Sequence, residues 1–314
     1  MQLPKIDYER IVKGEDLHLL DSACIEWGFF ELANAPIPVS ERLKMLTMME
    51  HFFSLPAESK RRVERTEKNH WGYYDRELTK NVRDWKEIFD VGPESGACIP
   101  QFPVDEQAFE DTVSSYYGVC ERVALDLVSC LAGALGSDPA LLREGFQNHT
   151  SYLRLNYYPL CPNPAPSETP TEVRDAGHLG ISHHSDAGAV TVLLMDGVEG
   201  LQVEKNDNWL PVTCERGSLI INIGDVVQVW SNDRYKAPLH RVLANHHQTR
   251  YSAPFFLNPS FDATYAPLPS IIGTTGPVYR PISWREFREG RAAGDYADVG
   301  TEVQISDYKV AASN

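Results

Sequence analysis

The sequence predicts a mainly β protein whose central strands form a barrel or sandwich, with helices concentrated in the first 150 residues. Three observations predict this fold class. From residue 151 onward, polar and apolar residues alternate, or form short apolar runs bounded by turn signals, as β-strands do. The segments 190–194 and 217–225 have the length and β-branched content of buried strands. Over 106–135, in contrast, the apolar residues repeat at helical spacing.

The N-terminal half is predicted to contain one short strand, three main helices and two further strands. Residues 1–10 are expected to be extended, and apolar spacing predicts helices over 14–27, 40–53 and 106–135. Ser40 is the expected N-cap of the second helix. Strands are predicted over 29–32 and 85–90.

The strand over 152–158 has an unusual distribution of polar residues. Tyr152, Arg154, Asn156 and Tyr158 share one face, because side chains alternate along a strand. Buried polar groups need partners, so a polar row on an inward face predicts a cavity. Further strands are predicted at 196–203, 209–212 and 217–225, with 226–230 continuing extended toward His240. A final polar helix over 283–294 could close the open end of the barrel.

Two imidazoles and a carboxylate form the most informative motif. His184 and Asp186 stand two residues apart, a spacing that places both on one face of a strand, and His240 would join them from another strand. Two His and one carboxylate are the facial triad that holds Fe(II) with open positions. Arg250 and Ser252 follow on one face of the next strand, and together they can bind a carboxylate.

Several motifs in a consistent order resemble one enzyme family along nearly the whole chain. They are the segments 3–7, 23–30, 52–56, 84–87, 156–159, 161–162 and 222–225, together with the triad and the Arg-x-Ser motif. The chain resembles the isopenicillin N synthase-like branch of the Fe(II)- and 2-oxoglutarate-dependent dioxygenases, a branch with many plant members.

The resemblance implies a double-stranded β-helix, or jelly-roll, core with helices packed outside. We expect one structural unit in four regions: an N-terminal oxygenase region at 1–100, scaffold helices at 101–150, the jelly-roll core at 151–260 and a C-terminal helical tail at 261–314. It also implies that His184, Asp186 and His240 are the catalytic metal ligands. The implied 2-oxoglutarate residues are Arg250, Ser252, Tyr158 and Asn156, and the candidate substrate residues are Tyr73, Arg154 and Phe256.

Two of these substrate assignments have structural alternatives. Tyr73 belongs to an aromatic cluster at 70–75 that could simply pack the N-terminal lobe, and Arg154 could form a rim salt bridge. Arg154, Arg76 and Arg83, in an otherwise acidic protein, suggest the hypothesis that the substrate is a carboxylated specialised metabolite.

The implied cofactors are Fe(II), with 2-oxoglutarate and O₂ as cosubstrates and ascorbate as a candidate reductant. The implied reaction oxidises a C–H bond of a small molecule, by hydroxylation, desaturation or cyclisation, and releases succinate and CO₂. One alternative is an oxidase of the same fold that takes no 2-oxoglutarate, as isopenicillin N synthase and aminocyclopropane-carboxylate oxidase do. Another is a barrel that binds a small ligand without catalysis.

The composition of the chain argues against some classes of partner and suggests a cellular compartment. A net charge of −15 over 314 residues argues against nucleic acid and anionic membranes, because phosphate binding needs a basic surface. Six cysteines stand singly, at positions 24, 98, 120, 130, 161 and 214, which is typical of free thiols in a reducing compartment. No secretory signal or membrane-length apolar stretch is evident. We therefore expect a cytoplasmic monomer.

Overall fold

Two stacked β-sheets form a jelly-roll core in the computed structural model, which describes residues 2–170, 176–274, 276–293 and 303–310. The strands are β1 (Lys5–Asp7), β2 (Phe29–Ala33), β3 (Gly72–Tyr74), β4 (Leu78–Thr79), β5 (Val82–Arg83), β6 (Glu87–Val91), β7 (Tyr152–Tyr158), β8 (Leu179–His184), β9 (Val190–Met195), β10 (Leu201–Lys205), β11 (Asn208–Pro211), β12 (Leu219–Ile223), β13 (His240–Leu243), β14 (Arg250–Leu257), β15 (Thr264–Tyr265) and β16 (Ile282–Ser283). The helices are α1 (Tyr8–Val12), α2 (Leu17–Glu26), α3 (Val39–Ser54), α4 (Ala57–Arg61), α5 (Gln107–Ala134), α6 (Pro139–Glu144), α7 (Asp225–Trp230), α8 (Pro269–Ile272) and α9 (Trp284–Arg291).

The larger sheet has the strand order β1-β2-β12-β9-β14-β7-β6-β3, and the smaller sheet has the order β11-β10-β13-β8. Most neighbouring strands are antiparallel, whereas β1 and β2 are parallel. Strand β9 lies inside the larger sheet and is buried along its whole length, which explains its continuous apolar sequence. Predicted strands from opposite ends of the chain therefore meet in one sheet.

Two apolar layers hold the sheets and helices together. Between the sheets, Phe29 and Ile220 of the larger sheet pack with Leu201 and Val242 of the smaller one. On the other face of the larger sheet, α2, α3 and α5 pack against strands that include β2, β9 and β14. The buried face of α5 carries Phe109, as its helical spacing predicts. The helices thus cover one side of the core and leave the space between the sheets for the site.

Residues in the first turn of the C-terminal helix α9 anchor it to the core. Ser283 accepts a hydrogen bond from the Glu286 amide and so caps the helix. Trp284 and Phe287 are fully buried, and the indole of Trp284 donates to Thr150 Oγ1 at 2.9 Å. The predicted helix over 283–294 agrees with α9, although its last residue, Gly294, lies outside the described residues, as does part of the predicted tail.

Three local predictions were wrong. Residues 226–230 belong to helix α7, where no helix was predicted, because a short buried apolar run cannot be assigned by periodicity alone. Residues 8–12 form α1, which Asp7 caps by accepting from the Arg10 amide. Helix α3 starts at Val39, one residue before the predicted cap Ser40, which lies inside the first turn. Among the residues described, no helix combines the length and the apolar character that crossing a membrane requires.

Candidate metal centre and its cavity

Three predicted ligands converge where the smaller sheet meets the loop after β8. His184 ends β8, His240 begins β13, and the two residues are directly opposed in the antiparallel pair. Asp186 Oδ1 lies 3.8 Å from His184 Nε2 and 3.7 Å from His240 Nε2. The ligand atoms of all three residues lie within 4.8 Å of one another. The expectation that His184 and Asp186 share one strand was wrong, since the strand ends at His184 and the loop carries Asp186.

Hydrogen bonds orient both imidazoles toward the centre of this cluster. Nδ1 of His184 lies 2.8 Å from the Ser182 carbonyl oxygen, and Nδ1 of His240 lies 3.1 Å from that of Pro238. A carbonyl can only accept, so each Nδ1 carries the proton and each Nε2 presents its lone pair. Burial and the neighbouring His240 lower the pKa of His184 to about 3. His184 is therefore neutral, the form that binds a metal.

The Asp186 carboxylate is held by neutral donors from the larger sheet. Oδ2 accepts hydrogen bonds from the Thr191 hydroxyl and from Asn222 Nδ2, the latter at 2.7 Å. Burial by itself would raise the pKa of Asp186, but the two imidazoles and these two hydrogen bonds keep it below its ordinary value. The carboxylate thus keeps its charge, with Oδ1 facing the histidines.

The loop that carries Asp186 is braced by the turn before α7. The amide of Asp225 donates to the Asp186 carbonyl at 2.8 Å, and that of Gly224 donates to the Ala189 carbonyl at 2.8 Å. The chain passes so close at Gly224 that a Cβ there would lie 2.2 Å from the Gly188 carbonyl oxygen. A glycine is required at this position because any side chain would displace the loop.

The triad opens into a cavity of about 890 Å³, including its mouth. Nine of the ten residues proposed from the sequence line it: His184, Asp186, His240, Arg250, Ser252, Tyr158, Asn156, Arg154 and Phe256. The four residues predicted to share the inward face of β7 all reach this cavity. The cavity therefore lies directly beside the position that the three ligands leave for a metal.

Arg250 is a buried cation that forms no ion pair with the described part of the chain. Its side chain is 1% exposed, and no carboxylate among the described residues lies within ion-pair distance of it. Its polar contacts among the described residues are Met195 Sδ at 3.2 Å and Ser252 Oγ at 3.5 Å, both weak. Its guanidinium stands 4.8 Å from the centre of the Tyr158 ring. A buried charge without a counter-ion is costly, so this site suits an anionic ligand.

Further polar atoms around Arg250 also have no partner in the described structure. They are Arg250 Nε, the Tyr158 hydroxyl and Asn156 Oδ1, all fully buried. Ser252 and Asn156 face each other across β14 and β7, with Asn156 Nδ2 3.4 Å from Ser252 Oγ. Arg250 Nε and the Tyr158 hydroxyl are donors on adjacent strands that a carboxylate can accept from, whereas Asn156 Oδ1 can only accept. These residues therefore fit 2-oxoglutarate.

Arg154 lines the same cavity, but its charge is already neutralised. Its Nε and Nη2 each donate to Asp90 at 2.8 Å, and its Nη1 donates to Glu77 at 2.6 Å. Asp90 lies directly opposite Arg154 in the β6–β7 pair. Lys86 also contacts Glu77, at 3.0 Å, and Asp84, at 3.1 Å. The alternative interpretation of Arg154 as a salt-bridge residue thus agrees with its contacts.

Three residues considered for substrate binding lie away from the cavity. The Tyr73 ring is 3% exposed, packs near Phe52 and donates its hydroxyl to Glu87 at 2.8 Å. Arg76 pairs with Glu64 and Asp75, and Arg83 donates to the Asp75 backbone. Tyr73 therefore packs the N-terminal lobe, which was the structural alternative, and Arg76 and Arg83 provide no charge inside the cavity.

Sequence reasoning missed four residues of the site. Thr191 and Asn222 support Asp186, while Lys86 and Arg288 join the cavity wall. Asn222 could have been found, because it stands in the Asn-Ile-Gly-Asp motif directly before the turn that braces the metal loop. Arg288 comes from α9, and nothing in its local sequence indicates that it faces inward.

Two family models match the chain. The 2OG-Fe(II) oxygenase superfamily matches residues 149–259, and the N-terminal region of non-haem dioxygenases in morphine synthesis matches residues 3–110. The first range contains the triad and Arg250, whereas the second contains Asp90 and Glu77. The cavity is lined mainly by residues of the first range, while the second range contributes Phe29, Thr79 and Lys86 to its wall.

Curated plant proteins are similar along most of the chain. The oxoglutarate-dependent flavonoid 7-O-demethylase 1 of Ocimum basilicum is 31% identical over 302 residues, which cover 92% of this chain and 77% of the relative. Jasmonate-induced oxygenase 4 of Arabidopsis thaliana is 32% identical over 298 residues, which cover 92% and 81%. These identities extend through both matched regions.

The solved structures agree in fold. The crystal structure of JOX2 in complex with 2OG, Fe and JA superposes with a TM-score of 0.83 and 27% identity, covering 99% of this chain and 90% of that one. The dioxygenase for auxin oxidation in rice, at 22% identity and a TM-score of 0.75 over 98% and 100% of the two chains, shows the same fold. The chain belongs to the 2-oxoglutarate- and Fe(II)-dependent oxygenase superfamily, and it is a dioxygenase that uses both cofactors.

Proposed function

We propose that the protein oxidises a C–H bond of a small, carboxylated specialised metabolite, with His184, Asp186 and His240 holding Fe(II) and Arg250 holding 2-oxoglutarate. The observation that carries the assignment of Arg250 is its charge, buried beside the triad without a counter-ion among the described residues. Two nitrogen ligands and one oxygen ligand suit Fe(II) and leave positions open. When bound, the iron and its cosubstrate supply the oxidising chemistry and release succinate and CO₂.

The protein's own groups supply binding and orientation. The triad fixes the metal on one side, and the Ser182 and Pro238 carbonyls fix the two imidazole rings. Arg250, with Ser252 and the Tyr158 hydroxyl, would receive the carboxylate of 2-oxoglutarate that lies far from the metal. Asn156 lies between these groups, and Phe256 and Tyr152 add an aromatic wall for the substrate.

A panel of small molecules, assayed with Fe(II), 2-oxoglutarate and O₂, tests the reaction. We expect one succinate for each substrate oxidised, and no activity for His184→Ala, Asp186→Ala or His240→Ala. Substrate oxidation without succinate would instead support the oxidase alternative. A wild-type protein that binds neither Mn(II) nor 2-oxoglutarate in a thermal-shift assay would contradict the proposal, because ligands of the folded state raise its stability.

Arg288 supports a carboxylated substrate better than the arginines first considered. It is half-buried, reaches the cavity from α9, and has no ion-pair partner among the described residues. Arg154, in contrast, is already paired with Asp90 and Glu77. Relatives named as a flavonoid 7-O-demethylase, a gibberellin 2-beta-dioxygenase and a feruloyl CoA ortho-hydroxylase support small-molecule substrates of varied chemistry. A second cation without an ion-pair partner among the described residues, besides the Arg250 assigned to 2-oxoglutarate, favours an anionic group on the substrate.

Comparison of two arginines on α9 tests this substrate class. Arg285 pairs with Asp262 on the outer surface, so Arg285→Ala is a matched control for Arg288→Ala. A charge-assisted hydrogen bond contributes about 1.5–3 kcal/mol, so Arg288→Ala should raise KM for a carboxylic acid substrate by roughly 10- to 100-fold. Arg285→Ala should leave this KM unchanged. Equal activity of wild type on an acid and on its methyl ester would contradict the carboxylate.

A further inference from the structure

Hydrogen bonds fix the backbone of the loop at 185–189, which carries Asp186, at four carbonyl groups. Three of the donors are backbone amides, and the fourth is a side chain. The carbonyls of Asp186, Gly188 and Ala189 accept from backbone amides of Asp225, Val226 and Gly224 at 2.8–3.1 Å. The carbonyl of Ser185, the residue between the two ligands His184 and Asp186, accepts instead from Arg291 Nη2 at 2.9 Å. This contact joins residues that are far apart in the chain.

Arg291 is itself fixed from several sides. Its side chain is 2% exposed, which makes it one of the largest fully buried groups in the described structure. Its Nη1 donates to Gln304 Oε1 at 3.1 Å and approaches the Val303 carbonyl at 3.4 Å. Its guanidinium lies 5.9 Å from the centre of the Phe287 ring, one helical turn away. The guanidinium therefore cannot follow the loop, and it holds the Ser185 carbonyl in one orientation.

We propose that Arg291 is a positioning residue that fixes the spacing of His184 and Asp186 for the metal, an inference that rests on the metal role proposed for these two residues. Rotation of the Ser185 peptide would change the 3.8 Å separation between His184 Nε2 and Asp186 Oδ1. A guanidinium repels a cation, so any favourable effect of Arg291 on metal affinity comes through geometry. Outer contacts of this kind are worth roughly 10- to 100-fold in metal affinity.

Helix α9 would then serve the site at two places. Arg288 faces the cavity, and Arg291, three residues later, holds the ligand loop. The closing helix is therefore part of the site and not only a cover for the barrel.

Titration with Co(II), followed by the visible absorption of the bound ion, tests the inference without turnover. We expect Arg291→Met to weaken Co(II) binding by about 10-fold, at the low end of the range for outer contacts. Arg291→Lys keeps the charge and one donor, and it should lie between Arg291→Met and wild type. Arg285→Met, on the exposed side of the same helix, should bind Co(II) as wild type does.

The outcomes separate the inference from the proposed function. Folding of each variant is checked by circular dichroism, and Arg291→Lys serves as the test if Arg291→Met does not fold. A Co(II) affinity within twofold of wild type in a folded Arg291 variant overturns the inference. Tighter binding by Arg291→Met would also overturn it, because it would show that charge repulsion outweighs positioning. Failure of the wild type itself to bind Co(II) would refute the metal role of the triad.

Discussion

Two arginines on neighbouring strands of the larger sheet, the half-buried Arg154 and the fully buried Arg250, have opposite surroundings. Arg154 on β7 forms ion pairs with Asp90 on the neighbouring strand β6 and with Glu77 in the loop between β3 and β4, so its charge is neutralised. Arg250 on β14 faces Tyr158 on β7, and it has no carboxylate partner among the described residues. Both line the cavity. A cation that is paired with protein carboxylates stabilises the cavity wall, whereas a cation without an ion-pair partner is available to a ligand.

The same contrast separates two buried carboxylates. Glu77 lies among the cations Arg154, Lys86 and Arg65, while Asp186 accepts from the neutral donors Thr191 and Asn222. Neutral donors orient Asp186 and leave its charge for a metal. Burial alone therefore does not identify a functional charged group. The charge and number of the groups that contact it do identify it.

Replacing Arg154 should have the largest effect on stability. Arg154→Met leaves Asp90 and Glu77 short of a cation, and breaking a buried ion pair costs about 3–5 kcal/mol. Urea unfolding of the metal-free protein measures this loss. Arg250→Met is the matched control, and it should change the free energy of unfolding by less than about 1 kcal/mol, because no described ion pair is broken. Normal stability of Arg154→Met with a raised substrate KM would show that Arg154 binds substrate after all.

Replacing Arg250 should mainly affect 2-oxoglutarate. A charged hydrogen-bonded contact is worth about 1.5–3 kcal/mol, so Arg250→Met should raise KM for 2-oxoglutarate by roughly 10- to 100-fold. It should also abolish the thermal shift that 2-oxoglutarate produces in the presence of Mn(II). An Arg250 variant that altered only the affinity for the substrate would favour the oxidase alternative.

Asn222→Ala should have a smaller effect, on the metal. It removes one of the two donors to Asp186 Oδ2 and leaves Thr191 in place. Loss of such an outer contact predicts Co(II) binding weaker by about 10-fold, at the low end of the known range. Glu77→Gln is the control for the other buried carboxylate, and it should leave the Co(II) affinity unchanged. Equal affinities for Asn222→Ala and wild type would show that Asn222 does not orient the ligand.

The smallest expected effect is on the pH dependence of stability. Burial alone would raise the pKa of Glu77, but Arg154, Lys86 and Arg65 hold it well below its ordinary value. The stabilisation from Glu77 is therefore complete above its unfolded pKa, near 4.5, and is lost as the pH falls through the lower folded value. Urea unfolding between pH 7 and pH 3 should show the wild-type advantage over Glu77→Gln shrinking below about pH 4.5. A constant advantage would contradict the ion-pair origin of the shift.

Local spacing in the sequence determined the Arg-x-Ser pair and the polar face of β7, whereas the triad was identified from its residue types, since Asp186 lies in the loop after β8. Residues two apart on a strand share a face whatever the rest of the chain does, so Arg154, Asn156 and Tyr158 could be assigned to one cavity. The family motifs added the jelly-roll core. Helix α7 was missed, because a short apolar run has no period that separates helix from strand.

Only the tertiary structure decided which charges are matched and which face inward. Asp90 neutralises Arg154 because β6 pairs with β7 in that register, and Glu77 arrives from a separate loop. Arg288 and Arg291 join the site because α9 packs back over the open end of the barrel. These contacts join segments far apart in the chain, and their partners depend on strand register and helix packing, which local composition does not encode.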